Sequence, residues 1–407
     1  MFKKSSTLIL LSISSKPLGG IRELLFIFVF GVSVDVDNYI YMGTILSILY
    51  CYINASIQIF ITQYNYISNE RSKYCLLTSF FYSNHCVISI IFIISLLLFI
   101  LFFNTSYFLM FILISISFIF KSYNNVLSNV LIQNNKQETN MIINYLYHLS
   151  ILFIIASTLY LGLILLCIGD VAISILITIL LLKKTKGYLS FKKHKVYSFS
   201  KNLKKSSVLY INNIMVISSY AFDQTILKGL GAGYVSLMKY SSIFTDVFIN
   251  GIIIMLLNNI IFPKISKKHD DFNEYLKYGK LIVYLSIVIL LLMVFVAPIY
   301  LDIIRLRVAT RYISTIYIFI MFTSFSIIPI ALNMYFNMYF LIQNSTHYIF
   351  VTCLIFVICN ILFTYILSVF FGAYGVMAGT LVSEYITLII AIIILISIKY
   401  LGINSTR

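Results

Sequence analysis

The chain has 407 residues, 61% of them apolar and only 10% charged, with a mean hydropathy of +0.99. That balance excludes a soluble globular protein and points to a polytopic α-helical membrane protein. In such a chain the net charge of +16 reports membrane topology first and is no footprint of nucleic-acid binding.

A helix needs about 20 residues to cross a bilayer, and apolar runs of that length recur along the sequence. In the first half they predict spans over Leu8–Phe30, Asp37–Ile61, Leu77–Phe103, Tyr107–Leu131, Met141–Leu166 and a short Ile168–Leu182 beginning beside Asp170. In the second half they predict Ser207–Leu227, Val235–Phe262, Leu281–Leu301, Tyr312–Leu341, Tyr348–Val369 and Gly375–Ile398. No small-residue cleavage site follows Leu8–Ile13, so the N-terminus reads as a span and not as a cleavable leader. The fold class is therefore all-α, with about twelve transmembrane helices.

The loops orient these spans. With both termini cytoplasmic, the outer loops hold only Lys228, Arg305, Arg307 and Arg311, whereas the loop Lys183–Lys205 alone holds nine lysines and no acid. This is a positive-inside pattern, and it agrees with an even number of spans. The same loop divides the chain into an N-terminal six-helix bundle (1–182), a basic cytoplasmic linker (183–206) and a C-terminal six-helix bundle (207–407). Its lysines also suit contact with anionic lipid headgroups.

The first span carries Lys16, Arg22 and Glu23 between Leu8–Ile13 and Leu24–Phe30, with Pro17, Gly19 and Gly20 among them. A charge at membrane depth costs about 2.5–3.5 kcal/mol on insertion scales, so such residues face a protein interior or a watery cavity. Two readings are open. In one, an Arg22–Glu23 or Lys16–Glu23 ion pair holds helices together. In the other, Lys16 and Arg22 form a cationic patch that receives an anionic group. The second half repeats the order weakly. Asp223 stands in its first span, Gly229, Gly231 and Gly233 follow, and the next span carries Lys239 and Asp246. Internal repeats of this type occur in transporters, with the site near the midplane. Pro329 is expected to bend the tenth span.

The motifs then resemble a known group. LGGIRELLFIFVFGVSVDVDNY resembles the opening signature of the MurJ/MviN-type lipid II flippases, through Lys16, Gly19 or Gly20, Arg22-Glu23, Phe30-Gly31 and Asp37 before Tyr39. GYVSLMKYSSIF with Phe262, Pro263 and Ser266, and YFLIQNSTHY after Pro329, are similar to later stretches of that family. FGAYGVMAGTLVSE is shared more widely across the multidrug, oligosaccharidyl-lipid and polysaccharide (MOP) exporter superfamily. The resemblance implies a MATE-like fold in two halves and a bacterial plasma-membrane location. It also implies a cationic cavity at Lys16, Arg22 and Asp37. The substrate it implies is a polyprenyl-pyrophosphate-linked saccharide, moved by alternating access. The chain departs from the family at Ser241, Ser242 and Ile243, where a basic residue often stands and for which Lys239 is a nearby substitute. It also reads as twelve spans, where the family usually has two more. Both departures leave room for a flippase of other polysaccharide repeat units.

Other chemistry finds little support. The five histidines and six cysteines are scattered without metal-ligand or disulfide spacing, and no GxSxG, HExxH or P-loop occurs. Asp223, Asp246 and Glu384 are dispersed acids that either pair with lysines or bind a coupling cation. The partners read from the sequence are a lipid-linked saccharide, membrane lipids and that cation, with no nucleic acid. Two alternatives compete with the flippase. One is a cation-coupled multidrug exporter of the same superfamily, for which an acidic cavity is expected. The other is a membrane polysaccharide polymerase or ligase, for which a large external loop is expected.

Overall fold

The computed structural model describes residues 19, 21–66, 70–102, 105–134, 136–158, 162–186, 199–253, 256–257, 261, 265, 272–343 and 345–400. Among them the regular elements are all helical. A helix satisfies its own backbone groups, which the bilayer interior demands of any spanning segment. Residues 21–30 form α1. There follow α2 (Val34–Tyr66), α3 (Glu70–Phe102), α4 (Phe108–Gln133), α5 (Gln137–Ser157), α6 (Gly162–Thr185) and α7 (Phe199–Leu230). Next come α8 (Tyr234–Phe248), which runs into a π-helical turn at Ile249–Ile253, then α9 (Phe272–Arg305), α10 (Thr310–Phe325), α11 (Ile327–Ile342) and α12 (Thr346–Tyr400). Seven helices among the described residues are long and apolar enough to cross a membrane. The chain is a multi-pass, all-α membrane protein.

One predicted boundary moves. The fifth helix ends at Ser157, not near Leu166, and α6 starts at Gly162 and runs for 24 residues. Asp170 thus lies well inside α6 and not at the edge of a short span. The break falls between Ser157 and Gly162, and Gly162 has a left-handed φ of +77°; Ser157, Thr158 and Gly162 interrupt a long apolar stretch too briefly for hydropathy to register it. The tenth span is divided between α10 and α11, and the last two spans together make α12.

The chain forms two compact units. One comprises Met1–Phe30 and Met42–Ile214; the other comprises Gly31–Tyr41 and Met215–Arg407. The eleven-residue stretch Gly31–Tyr41, assigned by sequence to the N-terminal bundle, packs with the C-terminal helices. In the first unit α4 packs extensively on α6, with α5 against α6 and α3 against α4. Leu127, Val130, Leu131 and Leu181 are fully buried there, and Phe60 stacks on Phe80 with ring centroids 4.2 Å apart. In the second unit α8 packs on α10, α9 on α10 and α11, and α11 on α12. Lipid is as apolar as these side chains, so close packing and polar contacts hold such bundles more than water exclusion does.

Two local devices shape the second unit. Gly372 leaves helical geometry (φ 58°, ψ −134°) and turns α12 back on itself. After it, a Cβ on Gly375 would lie 2.0 Å from the Leu367 carbonyl oxygen, and one on Gly379 would lie 2.5 Å from Thr364 Cα. The spacing Gly375-x-x-x-Gly379 therefore lets the two arms of α12 meet backbone to backbone. The second device is the break at Ser326. Pro329 has no N–H for the Phe325 carbonyl four residues earlier, and the Tyr385 hydroxyl donates to that carbonyl instead, at 3.2 Å.

Candidate functional site

Arg22 and Glu23 lie on α1 in the first unit. Their side chains form an ion pair and are 28% and 27% exposed. Arg22 is also within electrostatic range of Lys121 on α4 and of Tyr147 and His148 on α5. Lys121 Nζ donates to Asp170 Oδ2 on α6 at 2.6 Å, Ser117 Oγ donates to the same oxygen at 2.5 Å, and Tyr147 OH donates to Oδ1 at 3.4 Å. Four helices thus converge on one polar cluster. The sequence marks Arg22 within it, but Lys121 appears there merely as a lysine inside a span. Lys16 lies outside the described residues.

Asp37, Asp223 and Lys239 belong to the second unit. Asp37 is 2% exposed and lies at the N-terminus of α8. Its Oδ2 accepts from the Gly233 amide at 2.5 Å, and its Oδ1 accepts from the Ser236 amide at 2.7 Å and from the Ser236 hydroxyl. A helix start leaves four amides without intrahelical partners, and a carboxylate there is favoured by hydrogen bonding and by the helix dipole. Asp37 supplies that cap from a distant part of the chain, because Gly233 at the N-cap has no side chain to supply it. Gly233 has a left-handed φ of +96°, and a Cβ there would meet Val32 Cγ1 at 2.4 Å. Close by, Lys228 lies over the Tyr41 ring at 5.0 Å, and Tyr41 OH is 3.0 Å from Thr225 Oγ1.

Asp223 occupies a different place. It is 1% exposed and lines a cavity of about 330 Å³ whose wall also includes Tyr220, Asp246, Asn360, Thr380 and Glu384. Thr380 Oγ1 donates to Asp223 Oδ2 at 2.9 Å, and Asn360 Nδ2 is 3.5 Å from the same oxygen. Thr364 Oγ1 donates to Asn360 Oδ1 at 3.4 Å. The Gly375 and Gly379 contact sets the register that brings Thr380 beside Asn360, at 3.3 Å. Asp223 Oδ1 and Glu384 Oε2 are buried without a hydrogen-bond partner among the described residues. A buried carboxylate oxygen left unpaired is costly, so the pair suits a cation. The donors are all oxygen, from carboxylate, amide and hydroxyl groups. That set fits a hard cation and not a thiolate- or imidazole-preferring metal. Lys239, half-buried on α8, is within electrostatic range of Tyr220, as are Asp223 and Asp246. The structure therefore groups Asp223 and Lys239 around one tyrosine. Asn360 and Thr380 were not legible in the sequence, since nothing in their spacing links them to a residue 137 or 157 positions away.

No protein-family model matches the chain, and no curated protein matches it in sequence. Its fold, however, is that of solved exporters. It is similar to the lipid II flippase MurJ in an inward closed conformation, with a TM-score of 0.77 and 17% identity over 95% of this chain and 87% of that one. It is similar to an inward-facing multidrug resistance MATE family transporter of the MOP superfamily, with a TM-score of 0.74 and 12% identity over 98% and 96%. It is also similar to the Vibrio cholerae MATE transporter VcmN, with a TM-score of 0.65 and 12% identity over 97% of each chain. The all-α, MATE-like fold anticipated from the motifs is thus the fold of this chain.

Proposed function

We propose that this protein is a flippase for a polyprenyl-pyrophosphate-linked saccharide, either a peptidoglycan precursor or a polysaccharide repeat unit, working by alternating access in a bacterial plasma membrane. The observation that carries the proposal is Arg22. It is a guanidinium in the stretch that the sequence reads as the first span, about a quarter exposed, with a second cation, Lys121, in electrostatic range. Fixed cations in a low-dielectric setting favour an anion strongly, and a guanidinium fork matches phosphate oxygens. The oxygen-bearing side chains of Asp223, Asn360 and Thr380, set in a largely apolar cavity, support a coupling cation held there. The fold, shared with a solved flippase and solved transporters, supports the transport reading. Lys16, Asp37 and Lys239 remain proposed substrate contacts. Of these, Asp37 already holds the amides of α8, so its part in binding is indirect, through the position of that helix.

The test is rescue of a strain depleted of its own lipid II flippase, run in parallel with a strain lacking a polysaccharide flippase. Growth or polymer display restored in one of them, and lost with Arg22→Ala at equal membrane level, supports the proposal and identifies the pathway. Failure in both sinks it.

A second reading has its own support. The cavity around Asp223 and Glu384 is also lined by Phe322, Phe356, Met377 and Ile330. Carboxylates among aromatic and apolar walls suit an amphipathic organic cation, the substrate type of a multidrug exporter. Resistance to such cations on expression, abolished by Glu384→Gln, would favour this reading over the flippase.

A further inference from the structure

The first unit holds two cations, Arg22 on α1 and Lys121 within the α4 span, and Arg22 is within electrostatic range of Lys121. Each has a carboxylate, Glu23 for Arg22 and Asp170 for Lys121. A cluster with as many carboxylates as cations removes the repulsion, and a purely structural network would need no more. Two features go beyond such a network. The Arg22 and Lys121 side chains are 28% and 37% exposed, so neither pair is sealed in the bundle. His148, in electrostatic range of both Arg22 and Glu23, has a buried Nδ1 with no hydrogen-bond partner among the described residues. Asp170 meanwhile is fixed from two sides by Ser117 and Tyr147. Lys121 is a flexible stem with three rotatable donors, so it can turn away while Asp170 stays.

We propose that Arg22, Lys121 and His148 form one anion site in the first unit, with Glu23 and Asp170 holding its two cations until a diphosphate takes their place. This rests on the flippase reading and adds Lys121 and His148 to it. The exchange is one of ion pairs only. The diphosphate oxygens replace the carboxylates as acceptors, and the unpartnered imidazole gains a partner. Asp170 and Glu23 keep the empty site electrically quiet, which lowers the cost of two cations in the membrane. They also set a threshold, because a ligand must out-compete them. A phosphate with several acceptor oxygens does so, and a neutral lipid does not.

The test uses the purified full-length protein in nanodiscs with farnesyl diphosphate as the probe and farnesol as the control. Lys121→Gln is expected to weaken farnesyl diphosphate binding about tenfold or more, as loss of a charge-assisted contact does. Asp170→Asn is expected to tighten it severalfold, by freeing Lys121. The double variant Lys121→Gln with Asp170→Asn leaves no unpaired charge, so it accumulates normally and is expected to bind as weakly as Lys121→Gln. His148→Phe is expected to weaken binding severalfold, and farnesol binding stays unchanged in all. The proposal is overturned if Lys121→Gln binds like the wild type. It is also overturned if both single variants lose binding and the double variant regains it, since the pair is then only a brace. If the wild type binds and Arg22→Ala alone weakens it, this site falls and the flippase reading stands. If the wild type binds farnesyl diphosphate no better than farnesol, the flippase reading itself fails.

Discussion

Asp37 on α2 and Ser236 on α8 are 199 residues apart, yet one carboxylate oxygen of Asp37 accepts from both the amide and the hydroxyl of Ser236. The other oxygen accepts from Gly233. Removing the carboxylate leaves buried amides without acceptors. Asp37→Ala is therefore expected to destabilise the protein by about 2–3 kcal/mol, from the loss of charge-assisted bonds at a helix start. Thermal unfolding in detergent should show a clear drop in Tm. Ser236→Ala, which keeps the amide bond, should show a smaller one. Equal stability of Asp37→Ala and the wild type would dismiss the capping role.

Gly233 makes that cap possible, through a left-handed backbone and close approach to Val32. Gly233→Ala is expected to lower accumulation in the membrane. Adding Val32→Ala should recover only part of the loss. It relieves the clash but leaves a left-handed strain of about 1–2 kcal/mol. Full recovery in the double variant would mean that the conformation of residue 233 matters little.

Asp223 has one carboxylate oxygen held by Thr380 and one without a hydrogen-bond partner among the described residues. Asp223→Asn keeps the shape and removes the charge. Transport driven by a cation gradient is expected to fall at least tenfold, with protein level unchanged, because a hard cation needs the anionic oxygen. Thr380→Val should have a milder effect in the same direction. Transport by Asp223→Asn with undiminished dependence on the gradient would remove this residue from coupling.

The charge pattern of the loops predicts that Ser190 and Thr310 lie on opposite sides of the membrane. Single cysteines at these positions, probed with an impermeant thiol reagent in intact cells, should label only at 310. Labelling of both from the same side contradicts the twelve-span orientation.

The sequence made the helices legible because a span is a long apolar run, and length alone identifies it. The break before α6 was not legible from hydropathy, because Ser157, Thr158 and Gly162 are only a short interruption between apolar runs on either side. The site was legible only where a charge stood out against lipid. Arg22 with its neighbour Glu23, and Asp223, were visible in this way, while the residues that meet them from other helices were not. Lys121, Asp170, Asn360 and Thr380 gain meaning from helices that meet far along the chain. Asp37 was visible as a charge, but its use as a cap for α8 was hidden. That use depends on the fold bringing Gly31–Tyr41 against helices some 200 residues later.

Arg22, the proposed diphosphate ligand, is paired with Glu23. Transport of a polyprenyl-diphosphate-linked saccharide should be measured for Arg22→Ala, Glu23→Ala and the double variant at matched membrane levels. If Arg22 binds the diphosphate, Arg22→Ala and the double variant are both inactive, and Arg22→Lys keeps part of the activity, because the charge survives without the fork. If Arg22 only neutralises Glu23, the double variant leaves no unpaired charge and regains full transport. That result would contradict the account.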